Sequence, residues 1–388
     1  MWQAADACLK CTLCVTQCPV VSVNPDFAGP KALGPEWFRR HQAGTLETMA
    51  HVDDCTFCQL CEAACPVDVP VAHLIAAHKE GTIRSWRHRL RDEMLARPHR
   101  VAVFARFSTV PTLVRSVGAI SQKTPLPRRH RESVGGLGPP LAKSQGRVAL
   151  FRDCYSAGYD PGLLDMAQAL LSLWGFEVVQ LPRVASCCGA AAYAAGKPAL
   201  ARKTAESCRR ELALGPQVSA WVTLNATCDG TLREEWPRYF GLSLDAPVLP
   251  FDEVALSASD EFWRRMHLVS ASNVPLITHT TCRGKVARGD GHLTKLARRA
   301  GFSRVEPSVA ACCGAAGSYA FKVEHEDTAQ ALAKPLALQS KRVKPQGFMT
   351  DSGTCAIHIE HVTQVQTRHP AYWLYRQYQR YLQEGSGQ

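Results

Sequence analysis

Long apolar runs are missing from this 388-residue chain. With no stretch of about 18 consecutive apolar residues, a bilayer-spanning helix is excluded. Low-complexity tracts are missing too, and 46% of the residues are hydrophobic, which excludes chain-wide disorder. Met1-Trp2-Gln3 lacks the basic segment of a secretory signal, and no twin-arginine signal opens the chain. A cytoplasmic location is therefore expected. No G-x-G-x-x-G follows an expected strand, so no dinucleotide or flavin site is expected here. Disulfides are unexpected without secretion. Against these absences stand 17 cysteines, which in a reducing compartment point to metal.

The first cysteines form two identical ladders. Cys8-x2-Cys11-x2-Cys14-x3-Cys18-Pro19 is followed by Cys55-x2-Cys58-x2-Cys61-x3-Cys65-Pro66. Two-residue gaps let one loop set three sulfurs around a cubane, and the fourth, three residues on, swings to a second cubane. The expected ligand sets are therefore crossed. Cys8, Cys11, Cys14 and Cys65 hold a first [4Fe–4S] cluster, and Cys18, Cys55, Cys58 and Cys61 hold a second. Structural zinc takes paired C-x2-C arms rather than a four-cysteine run ending in Cys-Pro, which disfavours it. Between the ladders, Asn24-Pro25, Gly29-Pro30 and Gly34-Pro35 read as turns, with a helical pattern over 36–49. A short helix is expected over 71–78. Its His73 and His78 are expected to be solvated or packed, since each cubane already has four sulfurs.

The net charge of +11 is concentrated, because residues 79–131 hold 13 Lys and Arg against 3 Asp and Glu. Arg84, Arg87, Arg89, Arg91, Arg97 and Arg100 begin this connector. Val103, Phe107, Val110, Val114 and Val117 then recur at helical steps, with Pro111 placed to kink the helix. Two readings stand: peripheral contact with a membrane or partner through 84–120, or a basic helix packed on its own domain. No nucleic-acid-binding motif accompanies the charge, so nucleic acid is not an expected partner. Residues 121–141, rich in Pro and Gly, read as a linker.

The remainder is two rough copies of one unit. Ser186-Cys187-Cys188-Gly189-Ala190-Ala191 is echoed by Ala311-Cys312-Cys313-Gly314-Ala315-Ala316. In the first copy, strands are expected at 148–151, 176–179 and 220–224, with helices over 163–174 and from Pro198 to about residue 214. In the second, strands are expected at 276–278 and 347–350, a helix over 292–300, and a helical stretch broken at Pro335. Cys154, Cys187, Cys188 and Cys228 in one copy, and Cys282, Cys312, Cys313 and Cys355 in the other, fall after strands. Parallel sheets bind ligands beyond the carboxyl ends of their strands, so one metal site per copy is expected. Gly189 and Gly314 are expected to allow close backbone approach to it. Cys208 shares a helical face with Ala201, Thr204, Ala205 and Leu212 and is expected to be a packed core thiol.

The fold class expected is α/β, with an α-helical two-cluster ferredoxin-like N-terminal domain and a tandem duplication of a βαβαβ unit behind it. The domains fall at 1–78, 79–145 (connector), 146–255 and 256–388, the last with a helical tail.

Cys8-Leu9-Lys10-Cys11-Thr12-Leu13-Cys14, Gly29-Pro30-Lys31 with Gly34-Pro35-Glu36, and Cys312-Cys313-Gly314 with Gly317-Ser318-Tyr319-Ala320-Phe321-Lys322 carry a resemblance. The chain resembles the C subunits of anaerobic glycerol-3-phosphate dehydrogenases. More broadly it is similar to iron–sulfur proteins with Cys-Cys-Gly domains, such as the heterodisulfide reductase B subunit and glycolate oxidase iron–sulfur subunits. The resemblance implies an electron-transfer subunit, peripheral on the inner face of the cell membrane. It would carry electrons from a flavin-containing dehydrogenase subunit, acting on glycerol 3-phosphate or a similar small hydroxy compound, towards quinone or another membrane acceptor. The family's fullest domain has five cysteines. Asn225 and Ser352 stand where the fifth would be in each copy, which leaves four thiolates for an ordinary cluster. Heterodisulfide-reductase-like thiol chemistry at a Cys-Cys-Gly cluster is the alternative. A metal-stabilised interaction module is a third reading.

Overall fold

The computed structural model describes residues 2–44, 49–82, 85–97, 119–121, 123–124, 132–179, 187–269 and 272–385. A helical N-terminal lobe precedes two four-stranded parallel sheets. The first sheet uses β1 (Arg147–Leu150), β2 (Glu177–Val179), β3 (Ala220–Thr223) and β4 (Val248–Pro250), in the order β2-β1-β3-β4. The second uses β5 (Leu276–His279), β6 (Val305–Pro307), β7 (Gly347–Thr350) and β8 (Thr367–Arg368), in the matching order β6-β5-β7-β8. In register, Val148 pairs with Val178 on one side and Ala220 on the other, as Leu276 pairs with Val305 and Gly347. Each copy thus has four strands rather than the three of a βαβαβ unit, and in the second copy β6 is a further strand not placed from the sequence. The fourth strands are three and two residues long, too short for any hydrophobic period to betray them.

Both ladders fold the same way. Lys10 and Thr12 in the first, and Phe57 and Gln59 in the second, adopt left-handed conformations at φ between 54° and 67°. Such conformations are costly outside glycine, and repeated ones curl the backbone into a concave loop. Each loop then enters a one-turn helix, Leu13–Thr16 or Leu60–Ala63. The intervening segment departs from expectation. Gly29-Pro30 and Gly34-Pro35 are not turns but parts of a helical run, Gly29–Lys31, a π-helical turn Ala32–Glu36 and then Trp37–Gln42. Pro30 lies in the first turn, where an N–H has no partner to lose, and Pro35 lies in the π-helical turn. Pro335 likewise breaks nothing, since the helix Glu326–Val343 continues through it.

His73 and His78, on the helix Val71–Glu80, are packed rather than solvated. His78 stacks on Trp37 at 4.1 Å and bonds the Leu33 carbonyl at 3.2 Å. Cys208 is fully buried on the helix Pro198–Ala213 with Ala201, Ala205 and Leu212, as its helical face required.

Of the basic connector, only part is described. The apolar positions from Val103 to Val117 lie outside the described residues. The helix Trp86–Leu95 shows how the connector begins. Arg91 points inward, 4% exposed, and grips both carboxylate oxygens of Glu324 at 2.6 Å while donating to the Ala119 carbonyl at 2.9 Å. Its neighbour Asp92 meets Lys322 at 3.2 Å. Burial alone would raise Glu324, but the Arg91 hydrogen bonds and charge outweigh it and hold the carboxyl down at about 2. Replacing Arg91 with methionine should cost about 2 kcal/mol, as for a lost charged hydrogen bond, because Asp92 keeps Lys322. Urea denaturation checks this, and a loss below about 0.5 kcal/mol would mean the helix is held by packing alone.

The C-terminal helix Pro370–Gly385 crosses back to the first sheet's layer. Its Ala371, Leu374, Tyr375 and Tyr378 share one core with Leu163, Leu170 and Phe262. Among the described residues, no helix is long and apolar enough to cross a membrane.

Candidate metal centres and the cavity between the sheets

The two ladders wall two small voids, and the voids divide the cysteines in the crossed manner. Cys8, Cys11, Cys14 and Cys65 line one, and Cys18, Cys55, Cys58 and Cys61 line the other. Burial, then the neighbouring Cys8, Cys11 and Cys65 charges, push the Cys14 thiol up. Burial, with Cys55 beside it, pushes Cys18 up to about 11. Cys58 and Cys61 are raised further, by burial first and then by Cys282 and Cys58 respectively. Crowded, buried thiols ionise together only around a compensating cation, which is what a polynuclear iron core supplies. Among the described residues, no three His, Cys, Asp or Glu side chains are disposed to hold one metal ion. The curled, thiol-walled voids fit a tetranuclear cluster better than a single zinc.

The repeat cysteines gather beyond the strand ends in two sets, one per copy, and the two sets face a common space. Cys154, Cys187, Cys188, Cys228, Cys282, Cys312, Cys313 and Cys355 all line one cavity of about 210 Å³ between the sheets. Sulfur contacts run Cys154–Cys187–Cys188–Cys228 on one side, where Cys188 and Cys228 are 3.6 Å apart. They run Cys282–Cys312–Cys313–Cys355 on the other. The cavity also adjoins the second N-terminal void, because Thr56 lines both. Cys58 lies close enough to Cys282 to feel its charge.

Asn225 and Ser352 line the same cavity at matching places, three residues before Cys228 and Cys355. Asn225 caps the helix Ala226–Gly230 by accepting from Thr227 N–H at 3.0 Å. Ser352 shares a hydrogen bond with Thr354 at 3.3 Å. Both have hydrogen-bonding roles in the protein itself.

The glycine after each cysteine pair brings its backbone to the sulfurs, Gly314 N–H donating to Cys312 Sγ at 3.3 Å, and has a packing task as well. Gly189 and Gly314 sit at φ 97° and 80°, and each faces the backbone of a following helix rather than the cavity. A Cβ at Gly314 would lie 2.3 Å from the Ala329 carbonyl oxygen, and one at Gly189 2.7 Å from that of Ala201. Gly314→Ala should destabilise the protein by about 1–3 kcal/mol and displace Cys313. Thermal unfolding with iron counting tests it, and wild-type stability with full iron would sink the argument.

Several residues were invisible to sequence reading. Trp236 Nε1 donates to the Cys188 carbonyl at 2.9 Å, and His358 Nδ1 to the equivalent Cys313 carbonyl at 2.6 Å. Neither lies near its cysteine pair in sequence, so no local pattern could mark it. Arg283, directly after Cys282, is 8% exposed and pairs with Glu235 at 2.6 Å. Its adjacency to a cysteine was the one available signal. Glu235 belongs to a buried chain in which Gln59 Nε2 lies 3.1 Å from Glu235 and 3.0 Å from His73 Nε2. His73 Nδ1 in turn meets Tyr193 Oη at 3.1 Å.

The two sheets are joined by a second buried polar centre. Arg288 reaches Asp229 at 2.9 Å, Asp351 at 3.0 Å and Asp252 at 3.1 Å. His292 sits 3.2 Å from Asp252 and 3.4 Å from Asp351. Ala226 N–H also donates to the Asp351 carbonyl at 3.0 Å, a backbone bond between the copies.

A thiol-walled N-terminal lobe joined to paired Cys-Cys-Gly sheets defines an iron–sulfur protein. The 4Fe-4S dicluster domain family matches residues 4–69, and the cysteine-rich domain family matches twice, at 148–233 and 277–360. The C subunit of the anaerobic glycerol-3-phosphate dehydrogenase of Escherichia coli is 30% identical over 94% of this chain and 96% of its own. The chain belongs to that family. The glycolate oxidase iron-sulfur subunit of Escherichia coli is 25% identical over 94% of this chain and 91% of its own length. The B subunit of the fumarate reductase (CoM/CoB) of Methanothermobacter marburgensis is 26% identical over 91% and 67% respectively.

Proposed function

We propose that this chain is the electron-carrying subunit of a membrane-associated dehydrogenase. The observation that carries the reading is the continuous series of thiol sets. Cys11 is exposed in the first set, the second set is more deeply buried, and Thr56 joins its void to the shared cavity. Clusters bound at these sets would supply one-electron carriage, which a two-electron flavin donor and a quinone acceptor need between them. Cys8, Cys11, Cys14 and Cys65 would hold the first, and Cys18, Cys55, Cys58 and Cys61 the second. Cys154, Cys187, Cys188 and Cys228, and Cys282, Cys312, Cys313 and Cys355, would hold one each. The two copies descend, on this reading, from one duplicated unit, since their strand orders match.

The burial of apolar and sulfur groups limits water at the cysteine pairs, whose carbonyls are pinned by Trp236 and His358. A flavin-bearing partner would oxidise glycerol 3-phosphate or a related hydroxy compound, releasing two electrons and two protons. The electrons would leave through this chain to quinone at the inner face of the membrane. Reduced, reconstituted protein mixed with a water-soluble quinone should be reoxidised within the mixing experiment. Persistence of the reduced EPR signals would refute the quinone step.

One observation favours a second reading, thiol–disulfide chemistry. Two thiol sets face one cavity, which is large enough to admit a small organic group. Turnover of a disulfide by the isolated chain would select that reading over the relay.

A further inference from the structure

Arg283 stands where three parts of the molecule meet. It follows Cys282, its guanidinium lies 5.9 Å from the ring centre of Phe57 in the N-terminal lobe, and Nη2 donates to Glu235 of the first copy at 2.6 Å. Glu235 is otherwise occupied, accepting from Gln59 at 3.1 Å and from Thr231 at 2.9 Å. Arg283 Nη1 is buried and, among the described residues, has no hydrogen-bond partner. Arg283 lines the shared cavity together with Cys282 and Cys312. A buried cationic donor without an acceptor is too costly to be kept for packing alone. An acceptor other than the described protein groups is therefore called for, and the cavity that Arg283 lines is where one would sit.

The matching residue in the first copy, after Cys154, is Tyr155. The two halves of the cavity therefore differ in charge, with Arg283 on the second copy's side, nearest Cys58, and Glu235 on the first copy's.

We propose that Arg283 Nη1 donates a hydrogen bond to the iron–sulfur centre held by Cys282, Cys312, Cys313 and Cys355, and that its charge raises that centre's reduction potential, with Glu235 as the opposing charge. This rests on the ligand assignment proposed above. Reduction adds one electron to the centre and breaks no bond, so the centre becomes more negative by one charge. A nearby cation in a low-dielectric interior stabilises the reduced form selectively. The second-copy centre thereby receives electrons from the N-terminal lobe more readily than its partner across the cavity.

The experiment is a potentiometric titration of the reconstituted full chain with dithionite, followed by EPR. Arg283→Gln should lower the potential of one centre, with about a tenfold loss in its reduction equilibrium, about 59 mV for one electron. Glu235→Gln should move the same centre upward. Arg283→Lys, which keeps the charge, should fall between Arg283→Gln and wild type. The second N-terminal cluster, whose ligand Cys58 lies on the same side, should shift less than this centre, and the first should stay in place. Opposite shifts from the two partners are not what a merely structural role predicts. Unmoved potentials, or shifts of one sign in both variants, overturn the proposal while leaving the ligand assignment standing. Wild-type protein with only about eight irons overturns both. Should Arg283→Gln lose the centre altogether, Arg283→Lys and Glu235→Gln decide.

Discussion

Cys18→Ala and Cys61→Ala should abolish the same cluster, while Cys14→Ala and Cys65→Ala abolish a different one. Each variant of the full chain, reconstituted anaerobically, should lose about four irons from a wild-type content of about sixteen. The argument is topological. Cys18 ends the first ladder, yet its void is walled by Cys55, Cys58 and Cys61 of the second. Cys65 ends the second, yet it shares a void with Cys8, Cys11 and Cys14. The effect extends beyond iron content. The lobe's helices are short, and its core, continuous with that of the first copy, is interleaved with the thiols themselves. Cluster binding is therefore folding energy for the lobe. Loss of either cluster should open the lobe to proteolysis while the sheets persist. Iron and acid-labile sulfide per chain, with reduced-state EPR, read the pattern. If Cys18→Ala extinguishes the same signal as Cys14→Ala, each ladder holds its own cluster and the crossed assignment is wrong.

What could be read from the residues followed the reach of the signal. The ladders were legible because cluster chemistry imposes a short, fixed spacing on one loop. The two sheets were legible because their central strands are apolar, such as Ala220–Thr223, and glycines such as Gly175 close the helices. Cys208 was placed correctly by helical period alone. The edge strands β4 and β8 were not, because two or three residues carry no period. Pro30 and Pro35 misled, because proline in a first turn or a π-helical turn is compatible with a helix. Merging of the two cysteine sets into one cavity could not be seen locally. It depends on how one sheet faces the other, where Arg288 and the Ala226–Asp351 backbone bond join residues far apart in the chain. The connector's charge left two readings open, peripheral contact or packing on its own domain, and Arg91, spent internally on Glu324, follows the second.

Arg288→Met should be the most damaging substitution outside the cysteines, costing about 3–5 kcal/mol. Arg288 is 5% exposed on its side chain, and the three carboxylates it serves are between 0% and 6% exposed. A methionine fills the volume and leaves Asp229, Asp252 and Asp351 with His292 and the half-buried Arg233, 3.5 Å from Asp229. The pH dependence follows from two carboxyls. Burial already raises Asp252 above the ordinary carboxylate range, against the lowering charge of Arg288. Asp351 is held well below that range although burial opposes it, by the hydrogen bond and charge of His292 and by Arg288. A carboxyl depressed in the folded state contributes stability above its unfolded pKa, and that contribution vanishes as pH falls through the folded value. Without Arg288, the Asp351 contribution shrinks and the Asp252 penalty grows, and both changes bear on the ionised forms. The deficit relative to wild type should therefore be greatest near pH 8 and smaller near pH 4, where the carboxyls of the unfolded chain, with an ordinary pKa of about 3.9, are partly protonated. Arg264→Met, which removes an exposed partner of Glu261, should change stability by less than about 1 kcal/mol and serves as the control. Urea denaturation of the iron-loaded proteins at both pH values makes the measurement. A deficit no larger than the control's, or one that does not change with pH, would show that the sheets are held together by apolar packing and that the charge cluster is incidental. A confirmed deficit should be accompanied by altered EPR of both repeat centres at once, because Arg288 holds the two halves of their common cavity in register.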